Sequence, residues 1–166
     1  KLKELKEICL EELSAEDKVV IFCKHLKELS AICDALPGSI PINGEVPPEN
    51  RAKRIKSWSN NNYNRFLVCQ IATASMGINL SAADTAIYFS NSWALQDRLQ
   101  SEDRILSPEN NTLLYIDLIT KNTIDEDIML ALQDKRDGQN IDFFRKIYTN
   151  FSRRVFSAKQ KRAQLV

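Results

Sequence analysis

The sequence predicts an α/β protein whose mostly parallel sheet is covered by helices on both faces. Short apolar runs rich in β-branched residues alternate along the chain with amphipathic helical patterns, and this alternation is typical of βαβ units with right-handed crossovers. A chain of 166 residues, 43% hydrophobic and 27% charged, has the size and composition of one globular domain.

The predicted elements follow one another without long gaps. Apolar residues at helical spacing predict a helix over 2–13, and the almost wholly apolar run 18–23 predicts a strand buried on both faces. A helical pattern over 25–36 ends at Pro37-Gly38, because this pair stops a helix. The remaining predictions are strand 39–43, helix 47–58, strand 65–69, strand 84–89, helix 92–105, strand 112–119 and helix 124–137.

Two polar clusters lie between residues 67 and 104. Gly77 and Asn79 follow the third strand, and Gln100 and Arg104 lie one turn apart on the helix after the fourth strand. Ligands of open parallel sheets bind outside the carboxyl ends of the strands. We therefore expect the chemistry of this chain at that edge.

The side chains limit what that chemistry can be. The sequence has no G-x-x-x-x-G-K-[ST] loop to cradle phosphates, His25 is its only histidine, and no ligand spacing predicts a metal site. A self-contained hydrolase is therefore not expected. An arginine on a helix near the sheet edge suits a group that completes another site across a cleft.

Charge divides the chain into two parts. After Asp142 there are seven basic residues and no acidic ones, whereas residues 1–142 carry 16 basic and 22 acidic residues. Aromatic and apolar residues near the C-terminus fall on one helical stripe. We predict a lobe over 1–137 and a basic, aromatic-striped helical extension over 138–166. The stripe either packs on the lobe or fills a partner's groove, and the basic face is either solvated or binds a polyanion.

Compartment is predicted from cysteines and hydropathy. Four scattered cysteines without a close pair indicate reduced thiols in an intracellular protein. No apolar run approaches the roughly 18–20 residues that span a bilayer, and the charged N-terminus is unlike a signal peptide. We expect no membrane partner and a cytoplasmic protein, nuclear in a eukaryote or in the host cytoplasm for a phage. Because the chain begins at Lys1, we expect it to be a piece of a longer protein.

Five stretches, in a fixed order, carry a family resemblance. KVVIFCKH resembles motif IV, and INGEVPPENRAKRIKSW resembles a "D-G-S-T-x-x-x-x-R" segment with Asn43 in place of the aspartate. LVCQIATASMGINLSAADTAIYF resembles motif V, in a variant similar to that of the annealing-helicase and phage branches. NSWALQDRLQSEDR matches "W-N-P-x-x-x-x-Q-A-x-D-R", and TLLYIDLITKNTIDED resembles "V-x-x-Y-R-L-x-x-x-x-T-x-E-E". Together they resemble the second, C-terminal RecA-like lobe of Swi/Snf-type ATPases in helicase superfamily two.

The resemblance implies a three-layer lobe of an ATP-dependent motor on double-stranded or branched DNA. ATP and magnesium would be held mainly by a first, P-loop lobe, so this lobe alone would be inactive. Arg104 would be an arginine finger, since its always-charged fork stabilises transferring phosphoryl oxygens, and Gln100 would orient it. The implied nucleotide-binding residues are Gly77, Asn79 and Asp103, and the implied DNA-binding residues are Lys24, His25, Gly44, Arg51, Thr73 and Trp93.

Several of these assignments also have a simpler reading. Arg104 could be an exposed helix arginine paired with Asp103 or Glu102, and Gly77 with Asn79 could be an ordinary turn. Arg51 could lie on a solvated helix face, and Trp93 could anchor the core. For the whole chain, the alternatives are a non-catalytic nucleic-acid or protein docking module built on a degenerate helicase lobe, and an RNA-dependent enzyme of the same superfamily.

One departure from the family pattern affects motif VI. The family has a second arginine three residues after the first, and this chain has Ser107 there. Either the second finger is absent, or a loop is missing from this sequence. The first case would put full ATPase activity in doubt.

Overall fold

Six parallel strands form one sheet in the part of the chain that the structure describes. In this computed structural model the backbone is described for residues 1–106, 113–137 and 146–149, and the side chains for the same ranges except 74–76, 137 and 146–149. The strand order is β2-β3-β1-β4-β5-β6, and every neighbouring pair is parallel. The strands are β1 (Val19–Cys23), β2 (Ile40–Ile42), β3 (Phe66–Gln70), β4 (Thr85–Tyr88), β5 (Leu114–Ile119) and β6 (Lys146–Thr149).

Helices cover both faces of this sheet. They are α1 (Leu2–Glu7), α2 (Leu26–Ala35), α3 (Pro48–Asn60), α4 (Leu95–Asp103) and α5 (Ile124–Asp137). Alternate residues of β1 enter two different apolar clusters, one with α1 and α2 and the other with α3 and the segment 71–83. A third cluster joins α4, α5 and the end of β5. The predicted three-layer α/β fold is confirmed.

Up to residue 137, the predicted strands and helices agree closely with the structure, with two local differences. The helix predicted over 2–13 is α-helical only to Glu7 and continues as a π-helical turn, Ile8–Glu12. Helix α4 begins at Leu95 rather than at residue 92. The hydroxyl of Ser92 accepts the N–H of Ala94 (3.2 Å) and donates to Asp97 (2.8 Å), so a local polar turn precedes the helix.

The helical extension predicted over 138–166 is wrong at residues 146–149. These residues form β6, which pairs with β5. The sequence KIYT contains β-branched and aromatic residues that suit a strand, and β5 offers the backbone groups of its second edge. The rest of the extension and Ser107 lie outside the described residues.

The four cysteines are free thiols, and Cys9, Cys23 and Cys69 are buried. Burial raises the pKa of Cys9 to about 12 and that of Cys33 to about 11, so both are protonated at neutral pH. Among the described helices, none is long and apolar enough to cross a membrane.

Candidate functional site

Residues 24 and 25 follow β1 at the carboxyl edge of the sheet, and their main chain is tightly held. The carboxylate of Glu28 accepts the N–H of His25 (3.0 Å) and the hydroxyl of Ser90 (2.6 Å). Ser90 in turn accepts the N–H of Lys24 (2.8 Å), and the amide of Gln70 donates to the Lys24 carbonyl (3.3 Å). Helix α2 and the ends of β3 and β4 therefore fix this short segment.

The other four residues implied as DNA contacts have different environments. Arg51 on α3 donates to the Gly44 carbonyl (3.1 Å) and closes the turn after β2. Thr73 is 1% exposed, and its hydroxyl donates to the Gln70 carbonyl (2.6 Å). Its hydroxyl is thus occupied within the lobe. Trp93 is 43% exposed, so the alternative that it anchors the core is wrong.

The segment after β3 contains a glycine that its backbone requires. Gly77 ends a 3₁₀ helix, Ile71–Met76, with a φ of +72°, a conformation that only glycine adopts without strain. A Cβ there would meet no atom within 4 Å, so the backbone angle and not crowding demands glycine. The side chain of Asn79 accepts the N–H of Ser81 (2.9 Å), which makes the local turn that the simpler reading expected.

This segment faces the end of α4 across a cleft of about 360 Å³, here called the α4 cleft. Its walls bring together three implied nucleotide-binding residues and the implied finger: it is lined by Gly77, Ile78, Asn79, Ser81, Asp103, Arg104 and Leu106. The N–H of Leu80 donates to the Arg104 carbonyl (2.9 Å), which joins the two walls. Gln100 does not line the cleft, although its carbonyl accepts the Arg104 N–H (3.2 Å).

Arg104 keeps its guanidinium group uncommitted within the described part of the chain. It is half-buried, its side chain makes no ion pair or hydrogen bond there, and its Nε is buried without a partner. Glu102 points the other way and pairs with Arg98 and Arg136, both at 2.5 Å. The simpler reading, in which Arg104 pairs with Asp103 or Glu102, is therefore wrong.

A buried ionic cluster beneath α4 was not predicted from the sequence. Arg98 is 1% exposed, bonds Asp117 and Glu102 at 2.5 Å each, and stacks 3.2 Å from the ring centre of Tyr88. Burial disfavours its charge, but the carboxylates of Asp117 and Glu102 raise the pKa of Arg98, so it stays charged. The available signal was Asp117, a lone acid in the apolar strand LLYIDLI, since a buried charge requires a partner.

The donor set of the described residues fits a nucleotide only in part. One uncommitted guanidinium in an open cleft can neutralise charge on a phosphate oxygen. No group of three His, Cys, Asp or Glu side chains in these residues is arranged to hold a metal ion. Among the described residues, the α4 cleft therefore offers one cationic group, the guanidinium of Arg104.

The sequence and the fold identify the family of this chain. Residues 1–108 match the family described as "Helicase conserved C-terminal domain", and the chain belongs to this family. Two solved structures share its fold: the C-terminal part of the Fun30 ATPase domain (TM-score 0.68, 24% identity, 79% of this chain and 43% of that one) and the C-terminal domain of the Sulfolobus solfataricus SWI2/SNF2 ATPase (TM-score 0.63, 24% identity, 84% and 59%).

Within that family, the chain is homologous to Swi2/Snf2 ATPases. It is 26% identical to the ATP-dependent helicase brm of Drosophila melanogaster over 80% of this chain and 8% of that protein. It is 27% identical to human TATA-binding protein-associated factor 172 over 72% and 7%, and 29% identical to the chromatin-remodeling ATPase INO80 of Mycosarcoma maydis over 65% and 6%. The chain thus spans less than a tenth of the length of these relatives.

Proposed function

We propose that this chain is the C-terminal motor lobe of an ATP-dependent DNA translocase or helicase and that Arg104 is its arginine finger. The observation that carries the proposal concerns Arg104. Its guanidinium has no side-chain partner among the described residues and lies in a cleft opposite Gly77 and Asn79. An arginine that lines an open cleft and has no side-chain partner among the described residues is available to an incoming anion.

Arg104 would act on a nucleotide that is held mainly by a preceding P-loop lobe together with magnesium. Its delocalised positive charge stabilises the charge that spreads over phosphoryl oxygens during transfer, which is the chemistry ATP hydrolysis needs from this lobe. Gln100 sits one turn earlier, and its carbonyl holds the Arg104 N–H. Without the P-loop lobe, the chain supplies one cationic contact and should not turn over ATP.

The carboxyl edge would track double-stranded or branched DNA. The segment Lys24–His25 presents a fixed main chain and the cationic side chain of Lys24, which suit sequence-independent phosphate contacts. A second groove of about 570 Å³ is lined by Arg51 and also by Gly77 and Asn79. The loop that contains Gly77 and Asn79 therefore borders both the α4 cleft and Arg51, a proposed DNA contact. This position supports a coupling between the bound nucleotide and the affinity for DNA.

The proposed setting is intracellular, nuclear in a eukaryote, because the thiols are free and the relatives include proteins named as chromatin-remodeling ATPases. The likeness of motif V to the annealing-helicase and phage branches, the division at residue 137 and the docking role of the basic tail stay predictions. A truncation that tests the tail should end after residue 149, because a cut after Asp142 would also remove β6.

The test is DNA-stimulated ATP hydrolysis by the two-lobe protein. We expect Arg104→Ala to lower kcat by about 10³-fold, the lower limit seen for arginine fingers, because no other described side chain of the α4 cleft is cationic. Lys6→Ala, which removes an exposed charge on α1, is the matched control and should leave kcat unchanged. Equal rates for Arg104→Ala and the parent protein would refute the finger.

A further inference from the structure

Helix α4 is attached to the lobe through a fully buried arginine. Arg98 bonds Asp117 of β5 through both terminal nitrogens, Nη1 at 2.5 Å and Nη2 at 3.2 Å, and bonds Asn91 of the preceding loop at 3.0 Å. Its Nε bonds Glu102 one turn later on the same helix at 2.5 Å. Because all three nitrogens of the planar guanidinium are bonded, these contacts fix the orientation of the Arg98 side chain as well as its distance from β5.

Two neighbouring contacts extend the attachment. Arg136 of α5 bonds the same Glu102 oxygen at 2.5 Å, and the hydroxyls of Ser101 and Tyr88 lie 2.7 Å apart. Helix α4 is thereby joined to β4, β5 and α5 along one face. Arg98, Ser101 and Glu102 occupy that face because positions three and four apart align on a helix.

The opposite face of α4 carries the proposed catalytic groups. At about 100° per residue, Gln100 lies roughly 200° and Arg104 roughly 240° around the axis from Arg98, and Arg104 lies about 9 Å further along it. A small roll of the helix about its axis would swing Arg104 across the α4 cleft. Within the described residues, Arg98 makes the largest number of bonds between α4 and the rest of the lobe, so it resists this roll together with the contacts of Ser101 and Glu102.

A buried ion pair is not required for stability alone. Apolar side chains of similar volume often stabilise a core as well or better. What the charged fork adds is a single allowed orientation of the helix, and catalytic groups must be held to within about 0.5 Å and 10–20°.

We propose that Arg98 is a positioning residue that sets the rotation of α4 and thereby aims Arg104 into the α4 cleft. The inference rests on the proposed function, since it concerns how the finger is held. It predicts that loosening the Arg98 fork lowers the rate of ATP hydrolysis while the lobe remains folded.

The test uses the full two-lobe protein and measures kcat and KM for DNA-stimulated ATP hydrolysis. Arg98→Lys keeps the charge and removes the fork; we expect kcat to fall about tenfold to a hundredfold, as for a misplacement of about 1 Å, with KM and DNA affinity within about twofold. Gln96→Ala, an exposed change on the same helix, is the control. Folded fraction is measured by circular dichroism at the assay temperature.

A second variant separates positioning from stability. Arg98→Met combined with Asp117→Leu replaces the buried pair by apolar groups, and it carries the test if Arg98→Lys does not fold. We expect this double variant to fold and still to show the lowered kcat. Parental kcat in either folded variant would overturn the inference.

A double-mutant cycle with Arg104→Ala then distinguishes the two proposals. If Arg98 acts through Arg104, Arg98→Lys has no further effect on the residual rate of Arg104→Ala. If the two effects multiply, the positioning role is overturned while the finger stands. If Arg104→Ala alone keeps the parental rate, the finger is refuted and the inference falls with it.

Discussion

Lys18 is the most informative residue for the energetics of the lobe. It is 8% exposed, and its ammonium donates to the carbonyls of Trp58 (2.8 Å), Asn61 (2.7 Å) and Asn64 (3.3 Å). These carbonyls end α3 and form the following turn, so the ammonium donates to acceptors at a helix end, where carbonyls lack intrahelical partners. Lys18→Met keeps the length of the side chain and removes all three bonds.

The expected loss can be estimated from these contacts. A hydrogen bond to a charged group contributes about 1.5–3 kcal/mol, and two of the three bonds are short. Burial opposes this gain, because it lowers the pKa of Lys18 despite the nearby charge of Asp84, and methionine gains apolar contact. We therefore expect a net loss of about 2 kcal/mol in the free energy of unfolding, which corresponds to roughly 4–8 °C in Tm for a chain of this size.

The assay is urea and thermal unfolding of the chain, followed by circular dichroism and tryptophan fluorescence. Lys53→Met, on the exposed face of α3, is the matched control and should change the free energy of unfolding by less than about 0.5 kcal/mol. A Lys18→Met variant as stable as the parent would refute the reasoning, because burying the ammonium would then cost as much as its three bonds contribute.

Two further predictions concern acid stability and DNA. Burial would raise the pKa of Asp125, but hydrogen bonds from Lys1 and the Thr120 N–H lower it below its ordinary value; its contribution is therefore present above about pH 4 and is lost as pH falls through the folded pKa. Asp125→Asn should lower the free energy of unfolding by about 1 kcal/mol at pH 7 and by progressively less as the pH falls through the folded pKa of Asp125, and a pH-independent difference would contradict this. In the two-lobe protein, Lys24→Ala should reduce the slope of log affinity for duplex DNA against log salt concentration by about 1. The control Lys6→Ala should leave this slope unchanged. An unaltered slope for Lys24→Ala would show that Lys24 does not contact the DNA backbone.

Most of the fold could be predicted because its signals are local. The run 18–23 is apolar at every position after Lys18, and all five residues of β1 are indeed fully buried. The failures arose where a partner distant in sequence decides the conformation. Residues 146–149 form a strand because they pair with β5. The local sequence does not indicate that β5 is available as a partner.

The candidate site was predictable in its membership but not in its bonding. Motif spacing brought Gly77, Asn79 and Arg104 together, and the α4 cleft contains all three. The structure shows that the Thr73 hydroxyl bonds the Gln70 carbonyl and that Arg98 pairs with Glu102. Both contacts depend on side-chain directions in the folded chain. The hydrophobic periodicity of the sequence carries no information about which polar partner a side chain bonds.

The bond between Leu80 and Arg104 joins two motifs through main-chain atoms alone. No side chain takes part, so substitutions at either position leave the donor and acceptor in place, with proline at residue 80 as the exception because it lacks the N–H. This main-chain bond therefore does not depend on which other side chains stand at positions 80 and 104. Sequence drift can therefore change the character of both walls of the cleft without separating them, as long as the backbone path is kept.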